Sequence, residues 1–186
     1  MRIIAGRARA HLIKAPEGRD TRPTLDRVRE NLFNVLQRSV VDARVLDLFA
    51  GSGALALEAV SRGAASAVLV DMDRAAARCI NDNITALRFE KECRVLNCDW
   101  RAAAQRLRGE RAAFELVFLD PPYAITDLTE VTEALKPLLA PGARIVIEHR
   151  AGTMPVVAQG LAVTDTRRYG IAGICILEPA GGNDHA

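Results

Sequence analysis

The 186-residue sequence predicts an α/β fold, a mostly parallel sheet flanked by helices and finished by an antiparallel hairpin. Apolar strand-like runs alternate with helical segments from residue 44 to about 148, which is the pattern of a parallel sheet with helical crossovers. Glycines follow the first run, and a carboxylate stands at the end of each of four successive runs, Asp47, Asp71, Asp99 and Asp120. Composition at 49% hydrophobic allows one sizeable core at this length.

The elements follow in order. Residues 2–5 and 10–14 read as a hairpin. Leu25, Val28, Leu32, Val35 and Leu36 share one face of a 3.6-residue period, so residues 25–38 form an amphipathic helix. Strands are expected at 44–49, 67–71, 93–97, 114–119 and 143–148, and helices at 54–62, 73–87, 100–107 and 127–139. Asp127 with Glu130 resembles an N-cap and its reciprocal acid, and Pro141-Gly142 ends that last helix. Residues 162–168 and 171–177, joined around Tyr169-Gly170, close the sheet as a hairpin. The expected organisation is a basic hairpin extension over 1–20, a body over 21–180 and a frayed tail over 181–186. No apolar run reaches membrane-spanning length and no charged-then-apolar leader opens the chain, which predicts a soluble cytoplasmic protein. Four cysteines without C-x-x-C spacing and three scattered histidines predict reduced thiols and no metal site. In the absence of a heptad pattern, a monomer is expected.

Asp120-Pro121-Pro122-Tyr123 follows the apolar run Phe114 to Leu119 and points to methyl transfer onto a planar nitrogen. An exocyclic base amine is a poor nucleophile because its lone pair spreads into the ring. The Asp120 carboxylate and the Pro121 carbonyl can accept from the amine and draw that lone pair back onto nitrogen. Two prolines fix the spacing of these acceptors, and Tyr123 offers a flat face for an extruded base, a contact worth about 1–3 kcal/mol for any base. An ordinary proline turn after a strand is the simpler alternative.

Asp47-Leu48-Phe49-Ala50-Gly51-Ser52-Gly53 places glycines between a strand and a helix, where amides and a tight turn favour nucleotide-like ligands. Gly51, Gly53 and Ala56 also fit a dinucleotide fingerprint, with Asp71 about 20 residues further on. Asp47 tilts the balance, because a carboxylate ahead of the glycines suits the ammonium of an amino-acid-like cofactor, which a dinucleotide lacks. Asp99 can accept from an adenine amine or simply cap a helix.

Charge is unevenly spread. Residues 1–29 carry seven arginines and one lysine against three acids, so a chain of net charge +2 is basic at its front and acidic over the remainder. Arg2, Arg7, Arg9, Lys14, Arg22, Arg27 and Arg29 are the candidate phosphate-binding residues, with a solvated charged surface as the alternative.

Met1 to Gly6, the run Arg22-Pro23-Thr24-Leu25-Asp26-Arg27-Val28-Arg29-Glu30 to Asn34, Asp47 to Leu57, Val70 to Asp73 and Asp120 to Tyr123 together resemble the RsmD family. Members of that family methylate N2 of a guanine in bacterial small-subunit (16S) ribosomal RNA. The resemblance runs from residue 1 to about 178. It implies a class I, Rossmann-like methyltransferase fold with a seven-stranded sheet in the order 3-2-1-4-5-7-6, using S-adenosylmethionine. It further implies that Thr24, Gly51 and Gly53 hold the methionine part of the cofactor, that Asp71 takes the ribose hydroxyls, and that Met72, Cys98 and Asp99 surround the adenine. Asp120, Pro121 and Tyr123 become the catalytic loop, and the partner becomes 16S ribosomal RNA or the small subunit. Two departures are small: Tyr123 stands where some members have Phe, and Asp71 where others have Glu. An adenine-N6 DNA methyltransferase poses the same amine problem, although no added DNA-recognition region is visible. A protein-glutamine methyltransferase usually has Asn where Asp120 stands, and a cofactor-binding assembly module is the non-enzymatic alternative.

Overall fold

The computed structural model describes residues 1–16 and 23–181, without the side chains of 23–25. Helix α1 (Pro23–Leu36) precedes β1 (Arg44–Asp47), and the chain then alternates through α2 (Ala54–Ser61), β2 (Ser66–Val70), α3 (Arg74–Leu87), β3 (Cys93–Leu96), α4 (Trp100–Gly109) and β4 (Phe114–Leu119). Next come α5 (Thr129–Leu135), β5 (Leu139–Arg150), β6 (Leu161–Tyr169) and β7 (Ala172–Pro179). The seven strands pair in the order β3-β2-β1-β4-β5-β7-β6. The four pairings from β3 to β5 run parallel, and the β5–β7 and β7–β6 pairings are antiparallel. This is the sheet that the family resemblance implies.

Burial on both faces explains why the parallel strands read as nearly continuous apolar runs. Strand period sorts them. Val45, Leu69, Leu116, Phe118, Val146 and Ile174 enter one core with residues of α1, α2 and α3, whereas Leu46, Val70, Val117, Leu119, Ile145 and Ile147 enter a second with α4 and α5. The exposed edge strand β6 carries Asp165, Arg167 and Arg168, charges that oppose further strand addition. Among the described residues, no helix is long and apolar enough to cross a membrane.

The N-terminal arms pair through an isolated bridge between Arg2 and Leu12, with Ile3 and Ile13 amides donating to the His11 and Met1 carbonyls at 3.0 Å. Ile3, Ala8 and Ile13 are buried in the same core as α1. Gly6, at φ +82°, lets the turn lie against α2: a Cβ there would stand 1.8 Å from the Ser61 carbonyl oxygen.

Two local expectations change. Asp127 accepts from the Thr129 amide at 2.9 Å, but Glu130 reaches across to Arg101 at 2.6 Å, so no reciprocal capping box forms. The helix yields to a 3-10 turn at Lys136–Leu138, and Pro141-Gly142 lies inside β5 at a shift of register with β4. Proline is tolerated there because a bulge leaves its missing amide out of the ladder.

Candidate active site

Register and parity place three carboxylates together. Asp47 pairs with Phe118, Phe118 with Val146, and Leu119 with Ile147, so Asp120 and Glu148 are the next neighbours at the carboxyl edge. Counting by twos from Val45, Phe118 and Val146 puts Asp47, Asp120 and Glu148 on the sheet face that α1 covers. All three line one cleft with Phe49 to Ser52, Val28 and Leu32 of α1, and Met1, Ala15 and Pro16 of the N-terminal segment.

The glycine loop forms one wall. The Ala50 amide donates to the Val70 carbonyl at 3.0 Å and the Gly53 amide to Ala50 at 2.7 Å. Gly53 has φ +78°, and a Cβ on it would come within 2.9 Å of Leu69 Cδ2, so the turn needs glycine there. It occupies the N-cap of α2 without a side-chain cap. Helix amides thus face the loop with their positive end.

Asp47 is 1% exposed, and among the described residues its Oδ1 has no hydrogen-bond partner. Burial pushes its carboxyl from 3.8 up to about 7; Asp71 nearby adds to the rise, and the Ala56 and Phe49 amides counter it. A cation held in the cleft would supply what that oxygen lacks. The folded state thus keeps this proton to a higher pH than the unfolded state. The resulting stabilisation is complete below pH about 4 and is lost as pH rises toward 7. Asp47→Asn is therefore expected to flatten this part of the stability profile. At pH 8 it should raise the stability of the ligand-free protein by roughly 2–4 kcal/mol, measurable as thermal midpoints from pH 5 to 8. Parallel profiles for the two proteins would contradict the assignment.

Asp71 is buried beneath the loop, with Oδ2 accepting from the Gly51 amide and Oδ1 from the Asp73 amide, both at 2.9 Å. It shapes the loop at the carboxyl edge of the sheet. Met72 is 73% exposed just beyond it. Cys98 packs against the second core, and Asp99 caps α4 by accepting from the Arg101 amide at 2.8 Å. These three extend the carboxyl edge toward β3 and are not part of the cleft that holds Asp47 and Asp120. Trp100 is half-buried, with the Arg101 guanidinium 4.3 Å from its ring centre. The Thr24 side chain and all of Arg22 lie outside the described residues, as do 17–20 and 182–186.

Pro121 is buried and Tyr123 is 38% exposed. The Tyr123 hydroxyl donates to Glu148 Oε1 at 2.9 Å. Glu148 is the residue that the sequence reading missed. Burial raises its carboxyl, and the Tyr123 hydrogen bond and His149 partly oppose the rise. A second cleft, between Pro121, Tyr123, Ile125 and Thr126 on one side and His149, Arg150, Thr153 and Pro155 on the other, meets the first at Glu148. Its shape is fixed by the Leu128 amide donating to the Val156 carbonyl at 2.8 Å and the Val156 amide to Thr126 at 2.9 Å.

The basic front divides. Arg2, Arg9 and Arg27 are exposed. Arg7 pairs with Glu92 at 2.6 Å and lies 4.4 Å over Phe89, and Lys14 pairs with Asp82 at 2.9 Å, yet both stay solvent-accessible. Arg29, expected on the phosphate-binding face, is instead 4% exposed. It bonds to the Arg2 carbonyl, to Asp26 at 3.0 Å and, more loosely, to Glu58 at 3.7 Å. Its position between Val28 and Leu32 on the inward face of α1 is the sequence signal for that burial.

Comparison with known proteins agrees with this geometry. The profile of a family described as "Conserved hypothetical protein 95" matches residues 1–178. The chain is 43% identical over 136 residues to ribosomal RNA small subunit methyltransferase D of Escherichia coli strain K12, a span of 73% of this chain and 67% of that one. It is 34% identical over 184 residues to YlbH of Bacillus subtilis strain 168, covering 97% and 100% respectively. The solved structure of yhhF from Escherichia coli superposes with a TM-score of 0.81 at 36% identity, covering 96% of this chain and 97% of that one. The sheet order is that of the class I S-adenosylmethionine-dependent methyltransferase fold. With the match running from Met1 through the glycine loop and the Asp120 to Tyr123 loop, this chain belongs to the RsmD family.

Proposed function

We propose that the protein methylates the exocyclic N2 amine of a guanine in 16S ribosomal RNA, in the assembled or assembling small subunit. S-adenosylmethionine is the donor, and when bound it supplies an electrophilic sulfonium methyl. The observation that carries the reading is one cleft joining a buried carboxylate, Asp47, one of whose oxygens lacks a hydrogen-bond partner among the described residues, to the loop at Asp120. The name of the Escherichia coli relative supports the substrate class.

Asp47 would hold the cofactor ammonium, and the amides of the Gly51 to Gly53 turn its carboxylate end. Asp71, Met72, Cys98 and Asp99 would line the ribose and adenine side. Asp120 and the Pro121 carbonyl orient the guanine amine, and Tyr123 stacks on the ring. Held there, the amine nitrogen would attack the methyl that the bound cofactor would supply, in line with the carbon–sulfur bond, whose electrons would pass to sulfur. The nitrogen then gives up one proton. Asp120 stabilises the charge that develops on nitrogen. The hairpin of residues 1–20, through Arg2, Arg7, Arg9 and Lys14, and Arg27 on α1, would bind phosphates beside a body spanning 21–180. Loss of the Asp47 charge should weaken cofactor binding in the same Asp47→Asn variant whose ligand-free form gains stability.

The test is methyl transfer from labelled S-adenosylmethionine to undermethylated small subunits, naked ribosomal RNA, duplex DNA and protein extract, with mass spectrometry of the digests. N2-methylguanosine from a ribosomal sample is expected. Label confined to N6-methyladenine in DNA, or to protein, would overturn the reading.

A further inference from the structure

Among the common base amines, only one has a ring N–H beside it. The N6 amine of adenine adjoins N1 and the N4 amine of cytosine adjoins N3, both of which present a lone pair. The N2 amine of guanine adjoins N1–H. A site that grips an exocyclic amine with Asp120 and the Pro121 carbonyl has the same hold on all three bases, so selection must come from whatever faces the neighbouring ring nitrogen.

Glu148 stands in that place. Its strand neighbour across the β4–β5 ladder is Asp120, because Leu119 and Ile147 are register partners. Parallel neighbours lie about 4.8 Å apart across the ladder, comparable to the reach from a base amine to its adjacent ring nitrogen plus one hydrogen bond. Among the described residues, Glu148 alone lines both the cleft with Asp47 and Asp120 and the cleft with Pro121 and Tyr123. Its Oε1 is taken by the Tyr123 hydroxyl at 2.9 Å, while Oε2 has no hydrogen bond among the described residues. Tyr123 therefore fixes the orientation of the carboxylate whose second oxygen is open to a donor.

We propose that Glu148 is the guanine-selecting residue, its Oε2 accepting the N1–H of the base whose N2 amine is held by Asp120 and Pro121. Adenine or cytosine, seated by its amine, would turn a lone pair toward this carboxylate and be repelled. The Tyr123 hydroxyl, by donating to Oε1, favours the charged, accepting form of a half-buried acid. This inference rests on the guanine-N2 reading above and adds to it the residue that chooses the base.

The test uses 2-aminopurine, which keeps the amine at C2 but has a lone pair in place of N1–H. It is placed at the methylated position, located by mass spectrometry, within the RNA or particle that the methyl-transfer assay identifies. Wild-type protein is expected to prefer guanine over 2-aminopurine by about 10- to 100-fold in kcat/KM, the size of one good base-reading contact. In Glu148→Gln the side-chain oxygen still accepts from Tyr123 and the amide N–H2 faces the base, so the preference should fall to near unity or reverse. Tyr123→Phe, which removes the hydroxyl and keeps the ring, should retain the preference for guanine at a lower rate. A wild-type protein indifferent to the replacement overturns the inference without any variant. So does an unchanged ratio in Glu148→Gln, or an equal loss of preference in Tyr123→Phe, since either would leave Glu148 as a mere support for the tyrosine. Failure of wild-type protein to methylate guanine at all is a different outcome, and it overturns the reading of function itself.

Discussion

Replacing Asp120 by alanine is expected to lower single-turnover methyl transfer by about 10²- to 10⁴-fold, the range for losing a positioned acid–base or charge-stabilising group. Binding of S-adenosylmethionine, measured by calorimetry, should change by no more than a few fold. The separation follows from where the two carboxylates lie. Asp47 is sealed at the end of β1 beside the glycine loop, whereas Asp120 is exposed one residue beyond β4, at the mouth of the cleft. Removing it leaves the Gly51 to Gly53 turn and Asp71 beneath it untouched. It takes away one of two acceptors for the base amine, and the rigid Pro121 carbonyl alone cannot localise the lone pair. Asp120→Asn should fall between wild type and alanine, because its amide keeps one acceptor oxygen but carries no charge. Near-normal turnover in Asp120→Ala would exclude the loop as the catalytic element. A matching collapse of cofactor affinity would instead make Asp120 part of the cofactor site.

Strand alternation carried most of the fold, because a parallel sheet buried on both faces leaves apolar runs that few other architectures produce. The candidate site was legible wherever a carboxylate ended such a run at the carboxyl edge of the sheet, as with Asp47, Asp71 and Asp120. Glu148 obeys the same rule, following Ile145, Val146 and Ile147 at the end of β5 with the parity of Asp120, but no motif marks it. Its role emerges only when register sets β5 beside β4 and Tyr123 folds back over it. Arg29 departs from its expected place for the opposite reason: charge along the chain does not tell which arginines meet water, and the face of α1 does. Local rules also failed where tertiary partners outbid them. Glu130 pairs with Arg101 rather than capping its own helix, and Pro141-Gly142 bulges a strand rather than ending a helix.

Glu58 is the deepest departure from sequence logic, and substituting it should have the largest effect on stability. It lies in α2 with no solvent exposure, in a helix so apolar that an acid looks misplaced. Its carboxylate accepts from the Ile4 and Ala5 amides at 2.7 and 3.0 Å and from Arg62 Nε at 2.7 Å, with Arg29 Nε at 3.7 Å. Those amides belong to residues 53 and 54 positions earlier in the chain, so nothing local could announce the contact. Glu58→Ala would leave two half-buried amides and the Arg62 guanidinium without this acceptor and remove a carboxylate from beside the buried Arg29. Breaking such a pair costs about 3–5 kcal/mol, which for a chain of this size lowers the thermal midpoint by roughly 6–20 °C. Glu58→Gln should cost less, since one oxygen still accepts from the N-terminal segment. The loss also reaches function, because Met1, Ala15 and Pro16 of that segment wall the cleft. Cofactor affinity should therefore weaken in Glu58→Ala at temperatures where the body remains folded, with faster hydrogen exchange at the Ile4 and Ala5 amides. A variant that keeps its midpoint within about 2 °C and retains protection of those amides would show that the N-terminal hairpin is held without Glu58, by its apolar contacts and its hydrogen bonds to Ser61 and Asn83. Ile3, Ala8 and Ile13 would then be the anchor, and the buried acid an expendable companion to Arg29 and Arg62.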